Sequence, residues 1–206
     1  MATRDDVVSA AAKVFRTKGF HGASVQDIAD EVGILKGSLY HYFTSKEELL
    51  YLVVKEPIMQ MYQQISEIVN DNLGAAEKLR LAITAHLQCF DRHYPNLFVY
   101  LRERDALKPR FREMMGFSHK DYERCWQQIL HEGIRNGEFR PDIDVQVTSY
   151  GLLGMLNWSY KWYSPKGRLS IQEVATEFSS LALAGIAADE HVILPRGRRA
   201  AVKSHR

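Results

Sequence analysis

An all-α fold is the prediction for this chain of 206 residues, and three observations carry it. No alternating, β-branched run bounded by turn signals occurs along it. Apolar residues recur at helical spacing almost from end to end. Thr3, Ser24 and Ser45 each stand three places before an acid (Asp6, Asp27 and Glu48), the pattern that opens a capped helix.

The first helix is predicted from Arg4 to Lys18, with Val7, Ala11, Val14 and Phe15 on one face and Gly19 as its stop. The second starts at Ser24 and ends near Gly33, burying Val25, Ile28, Ala29 and Val32. The third is the segment GILKGSLYHYF, Gly33 to Phe43, anchored by Ile34, Leu39 and Phe43. The fourth opens with SKEE and runs toward Asn72, with Pro57 in its path; a proline there kinks or splits a helix. Further helices are predicted near 75–93, 96–105, 110–136, 143–163 and 170–187, broken at YPN, KP, NGEFRPD and SPKGR. Three helices within some forty residues, joined by short turns, match a helix-turn-helix unit.

With 46% hydrophobic residues, the chain has ample material for a core. No apolar run approaches the roughly 18 residues of a spanning helix, and the N-terminus has no apolar signal region. Two cysteines, Cys89 and Cys125, make no disulfide framework; a reducing cytoplasm is the expected setting. The net charge of +2 needs dividing. Arg196, Arg198, Arg199, Lys203 and Arg206 occupy the acid-free last twelve positions, and removing these five from 27 Lys+Arg leaves 22 against 25 Asp+Glu. Nucleic-acid binding must then come from local placement of charge. The end itself reads as a basic disordered tail over 191–206.

Within the third segment, Lys36, Gly37, Ser38, Tyr40, His41 and Tyr42 are left outside. Between Val32 and Lys46 there are two lysines and no acid. Lysine can reach a phosphate or a guanine edge, glycine lets backbone approach DNA, and hydroxyls and imidazole can bond phosphate oxygens. By composition alone, a groove-reading helix and a solvated short helix with two surface tyrosines fit equally well.

The stretch ASVQDIADEVGILKGSLYHYFTSKEELL, with AAKVFRTKGFHGAS before it, resembles the DNA-binding region of the TetR family of transcriptional repressors. The match covers roughly residues 4–52. The resemblance implies an all-α homodimer that binds a palindromic double-stranded operator. Each subunit would have a helix-turn-helix domain over 1–52 and a larger ligand-binding and dimerisation domain over 53–190. It implies phosphate contacts at Ser24 and Gln26, groove contacts from Lys36, Gly37, Ser38, Tyr40, His41 and Tyr42, and a backbone contact at Lys46. Leu35 departs from the pattern, standing where many members carry a capping serine. Leucine cannot cap, which typically costs about 1 kcal/mol, but it can meet a thymine methyl. Pro57 falls near the junction of the two domains, where it either relays ligand binding to the reading heads or simply bends the helix around the core.

Aromatic residues crowd the second half. Trp158 and Trp162 lie four apart with Tyr160 and Tyr163 beside them, a stripe that suits core or pocket. Phe90, Phe98, Tyr100, Tyr122 and Trp126, on other helices, could complete an apolar cavity. MLNWSYKWYSPKGRLS and GEFRPDID resemble a TetR branch tied to fatty-acid, steroid and aromatic-acid breakdown, whose effectors are often acyl-CoA thioesters. A hydrophobic effector of that class would set its phosphates on Arg102, Arg104 and Lys161. His86, Cys89 and His93 are of metal-ligating types, but residues two turns apart do not easily share one ion, so His86 is assigned to pocket lining and no metal or cofactor is expected. Leu152, Leu156, Val174, Phe178, Leu181 and Gly185 are spaced for a two-fold four-helix interface, or for internal packing.

These features favour a ligand-responsive DNA-binding repressor. An enzyme is the competing class, yet the chain has no nucleophile elbow, Gly-rich phosphate loop or HExxH. A sensor module that docks on protein is the third.

Overall fold

The computed structural model describes residues 2–164 and 166–188; the basic tail lies outside the described residues. Ten α-helices follow one another: α1 (Arg4–Gly22), α2 (Val25–Val32), α3 (Lys36–Leu39), α4 (Lys46–Asn70), α5 (Ala75–Arg92), α6 (Asn96–Glu103), α7 (Pro109–Met114), α8 (His119–Arg135), α9 (Val145–Trp158) and α10 (Ile171–Ile186). Short 3-10 turns extend α6 and α9. Apart from one isolated bridge between Phe139 and Ala187, no strand pairing occurs among the described residues.

Local chemistry explains the starts. Thr3 and Ser24 form complete capping boxes with Asp6 and Asp27. At α4, Ser45 Oγ accepts from the Glu48 amide, but the Glu48 carboxylate returns to Thr44, one residue earlier than the sequence pattern indicates. Gly33 ends α2 at φ 79°, a left-handed conformation that L side chains rarely adopt, and this turns the chain toward α3.

Three expectations need correction. The third helix is only four residues long, not the whole segment, because Leu35 offers no side-chain cap and Tyr40–Tyr42 leave α geometry. The predicted helix at 110–136 is two helices, separated at Gly116 and restarted by a capping box of Ser118 with Asp121. The fourth helix is not split at Pro57 and runs unbroken to Asn70.

That continuity has a visible cause. Proline carries no N–H, so the carbonyl of Val53, four residues earlier, loses its helical partner. The Asn96 side chain of α6 donates to that carbonyl at 2.8 Å. A neighbouring helix thus supplies the hydrogen bond that Pro57 removes.

Two apolar cores result. One joins α1, α2 and α3 to the first half of α4 and continues into Phe90, Leu97, Val99, Leu107 and Phe111. The other joins the far half of α4 to α5, α8, α9 and α10 around Trp126. The core of the N-terminal helices therefore does not close at residue 52; α6 and α7 help to complete it. Beside the second core, Lys78 is almost fully buried yet paired, donating to both Glu132 carboxylate oxygens and to the Val69 carbonyl. At Gly133 a Cβ would lie 2.1 Å from the Phe139 ring, so only glycine lets that ring seat against α8.

Candidate nucleic-acid interface and internal cavity

The helix-turn-helix face is built by burying Leu39 and Phe43 beneath α3, against Ile28 and Ala29 of α2. Burial of one side leaves the other outward. Leu35 is 81% exposed, Tyr40 51%, and Lys36, Gly37 and His41 are also exposed, while Ser38 is half-buried. Ser24 and Gln26 are exposed at the start of α2, where free backbone amides favour a phosphate. The Ser24 oxygen accepts the Asp27 amide, leaving its hydroxyl proton free, and Gln26 donates to Asp30. A hydrogen bond from Lys18, together with those from Ser24, pulls Asp27 down to about 2.

Two of the expected contacts are committed elsewhere. The Tyr42 hydroxyl donates to the Ala2 carbonyl at 2.7 Å. Its only proton is thus used, and a phosphate offers none in return. The Lys46 ammonium donates to the Phe20 and Ala23 carbonyls, each at 2.8 Å, and lies 4.6 Å from the Phe20 ring centroid. These two residues hold the reading head together, joining its N-terminus and the α1–α2 turn to the rest.

In the second half, a narrow slot with about 470 Å³ between its walls is bounded by Ile58, Phe90, Leu97, Tyr100, Phe117, Leu153 and others. Of the aromatic candidates, Phe90, Tyr100 and Tyr122 line it, as does His86. Trp126 is fully buried behind His86 and Tyr122, its ring 6.1 Å and 6.3 Å from theirs. Trp158 and Trp162 point outward at 61% and 50% exposure, because the last turn of α9 carries them past the core. Phe98 packs against Tyr94 and Tyr160, with the Arg102 guanidinium over its ring. Arg102 itself faces α1, and none of these four reaches the slot.

Sequence reasoning missed Ile58, Met61, Leu97, Leu101, Phe117, His119, Leu153 and Asn157. Most are aliphatic or unremarkable at helix-face positions, with no signal separating wall from core. The slot shares Ile58, Tyr100, Phe117 and His119 with a wider mouth edged by Arg104, Arg112 and Lys120, with Asp105 and Glu113 among them. Arg104 donates to His119 Nε2 at 3.2 Å, and burial followed by the Arg104 charge lowers the His119 pKa.

His86, Cys89 and His93 do not converge. His86 Nδ1 meets the Tyr122 hydroxyl at 2.9 Å, Cys89 meets the Pro57 carbonyl, and His93 meets Gln60 at 2.7 Å. Burial pushes the Cys89 thiol up to about 11.

The expected interface residues divide. Leu152, Leu156 and Val174 are buried in the subunit's own core, because they face α5 and α8 rather than outward. Phe178 is half-buried beside Trp162. Leu181, 64% exposed, and Gly185 face out, as do Val147, Tyr150 and Trp158 on α9.

A reading head presenting a short exposed helix, joined to a helical body with an internal slot, defines a helix-turn-helix regulator. The chain belongs to the TetR family. Residues 7–52 match the family of bacterial regulatory proteins named for tetR, and residues 72–186 match the tetracyclin repressor-like C-terminal domain. It is 33% identical over 186 residues to the HTH-type transcriptional repressor KstR2 of Mycobacterium tuberculosis (strain H37Rv), covering 89% of this chain and 92% of that one. The solved ketosteroid transcriptional regulator KstR2 of Mycobacterium tuberculosis superposes with a TM-score of 0.84 at 31% identity, over 91% and 96% of the two chains. AibR, solved in complex with isovaleryl coenzyme A and operator DNA, superposes at 0.75 with 26% identity over 86% and 96%. The fatty acid metabolism regulator protein of Bacillus subtilis (strain 168) is 25% identical over 87% of this chain and 93% of its own.

Proposed function

We propose that this protein represses transcription as a homodimer on a palindromic operator and is released by a hydrophobic effector of the acyl-CoA class. The observation that carries the effector reading is an apolar slot opening onto a mouth edged by three cationic side chains, Arg104, Arg112 and Lys120. An acyl group fits the first chemistry and a nucleotide's phosphates the second. The isovaleryl-CoA complex of AibR supports this class. Arg104 and not Arg102 is the arginine placed for it.

The DNA-reading unit is assigned to residues 1–52, with Leu35, Lys36, Gly37, Ser38, Tyr40 and His41 facing the groove and Ser24 and Gln26 at the phosphates. The body, 53–190, carries the effector slot and the dimer face. That face is the outer strip of Val147, Tyr150 and Trp158 on α9 with Leu181 and Gly185 on α10. The protein binds its effector without turning it over and acts in the cytoplasm. No described helix is long and apolar enough to cross a membrane.

The test is fluorescence anisotropy on a duplex selected from random sequence. A dimer should bind one palindrome, lose affinity steeply with salt, and release it on adding isovaleryl-CoA or a longer thioester, with no free thiol appearing. Release by no thioester of any length would refute the effector class and leave the DNA assignment standing. Steady release of free thiol would make the protein an enzyme.

A further inference from the structure

His86 sits on α5 in the wall of the slot and is 3% exposed. Its Nδ1 lies 2.9 Å from the Tyr122 hydroxyl, and its Nε2 has no hydrogen-bond partner among the described residues. A buried polar atom without a partner ordinarily costs about 1–3 kcal/mol, so it calls for an explanation. Counting protons assigns the tautomer. If the imidazole donated from Nδ1, the buried Tyr122 hydroxyl would lack an acceptor and Nε2 would lack a donor. If Tyr122 donates to Nδ1, a single group is left over, the Nε2–H. Burial holds the imidazole neutral by pushing it down to about 4, with nearby Asn157 opposing slightly. Asn157 nevertheless makes no hydrogen bond of ordinary geometry to Nε2. The slot wall thus carries an oriented, neutral N–H donor with a carboxamide close by.

Position narrows the ligand. Ile58, Tyr100, Phe117 and His119 belong to both slot and mouth, whereas His86, Phe90, Leu153 and Asn157 belong to the slot alone. The donor therefore lies away from the cationic mouth, where the buried end of an effector would rest. We infer that the effector carries a hydrogen-bond acceptor, a ketone or hydroxyl oxygen, on its buried apolar part, and that His86 Nε2–H reads it with Asn157 beside it. This rests on the effector reading above and deepens it: a plain hydrocarbon chain leaves the donor unpaired, and an oxygenated ring or chain fills it. Discrimination of this kind is strong because the wrong ligand strands a buried polar group.

The test uses two thioesters of one shape, cyclohexanecarbonyl-CoA and its 4-oxo counterpart, titrated against the full-length protein bound to its selected duplex. The oxo compound should release DNA at roughly tenfold lower concentration, one hydrogen bond's worth. In His86→Phe the two should become equipotent, with the plain ring binding as well as before. The imidazole Nε2 resonance of the wild-type protein should shift with the oxo compound alone. Equal potency in the wild type, or a preference that survives in His86→Phe, overturns the proposal. If His86→Phe does not fold, Tyr122→Phe keeps the imidazole but frees its tautomer and should shrink the preference; an unchanged preference overturns the assignment. If neither thioester binds, the acyl-CoA reading fails, and cyclohexanone against methylenecyclohexane still decides for His86. A shift of the Nε2 resonance with the ketone alone supports it, and no shift refutes it.

Discussion

Lys36 and Lys46 are ten positions apart in one cationic segment, and the sequence pattern assigns both to DNA. Their surroundings separate them. Lys36 is exposed at the first position of α3, whereas Lys46 is spent on the Phe20 and Ala23 carbonyls. Lys36→Ala should weaken operator binding and lower the slope of log K against log salt by about two for a dimer, one per subunit. Lys46→Met should instead leave two carbonyls without their charged donor and cost on the order of 2 kcal/mol of stability, read by urea unfolding, with the salt slope unchanged. A slope that falls for Lys46→Met would return that lysine to the interface. The tyrosines divide in the same way, since Tyr42 spends its proton on Ala2 and Tyr40 stands clear.

At the scale of the element, α4 survives a proline that ought to interrupt it. The reason lies on another helix, where Asn96 fills the orphaned Val53 carbonyl. The same helix contributes Leu97, Tyr100 and Leu101 to the slot, and Arg102 at its end reaches the Arg16 carbonyl of α1. α6 thus touches the cavity, the long helix and the reading head at once. Asn96→Ala should cost about 1–3 kcal/mol by stranding Val53. In a Pro57→Ala background the restored backbone N–H can serve that carbonyl, so the same substitution should cost much less. A double-mutant cycle by chemical denaturation measures the difference, and additive costs would show that Asn96 acts by some other route.

For the molecule as a whole, two cores sharing α4 explain how a slot in the body can be sensed by the head: the first core already extends into α6 and α7. The outer strip on α9 and α10 exposes more large apolar side chains than a monomer usually leaves bare in one place, including Val147, Tyr150, Trp158 and Leu181. Leu181→Glu should convert a dimer into monomers in sedimentation and abolish cooperative binding to the palindrome, while an isolated subunit keeps its helicity. Leu156→Glu should unfold the subunit instead, because that side chain is fully buried. A Leu181→Glu protein that remains dimeric would move the interface to another face.

Helical period, capping patterns and one short cationic segment were enough, by themselves, to determine the all-α class, nearly every helix start and the exposed reading surface, because those depend on residues close together in the chain. Ser24, Lys36 and Tyr40 stand where their neighbours in sequence require. Tertiary structure alone decided which of two like residues is free, since Lys46 and Tyr42 are claimed by partners 26 and 40 positions away. It decided that Trp158 and Trp162 face outward and that aliphatic residues line the slot, because one helical stripe can bury against a core, a cavity or a second subunit with the same spacing. It also joined His86 to Tyr122 across 36 positions, and that contact fixes which nitrogen of the imidazole is left to meet a ligand.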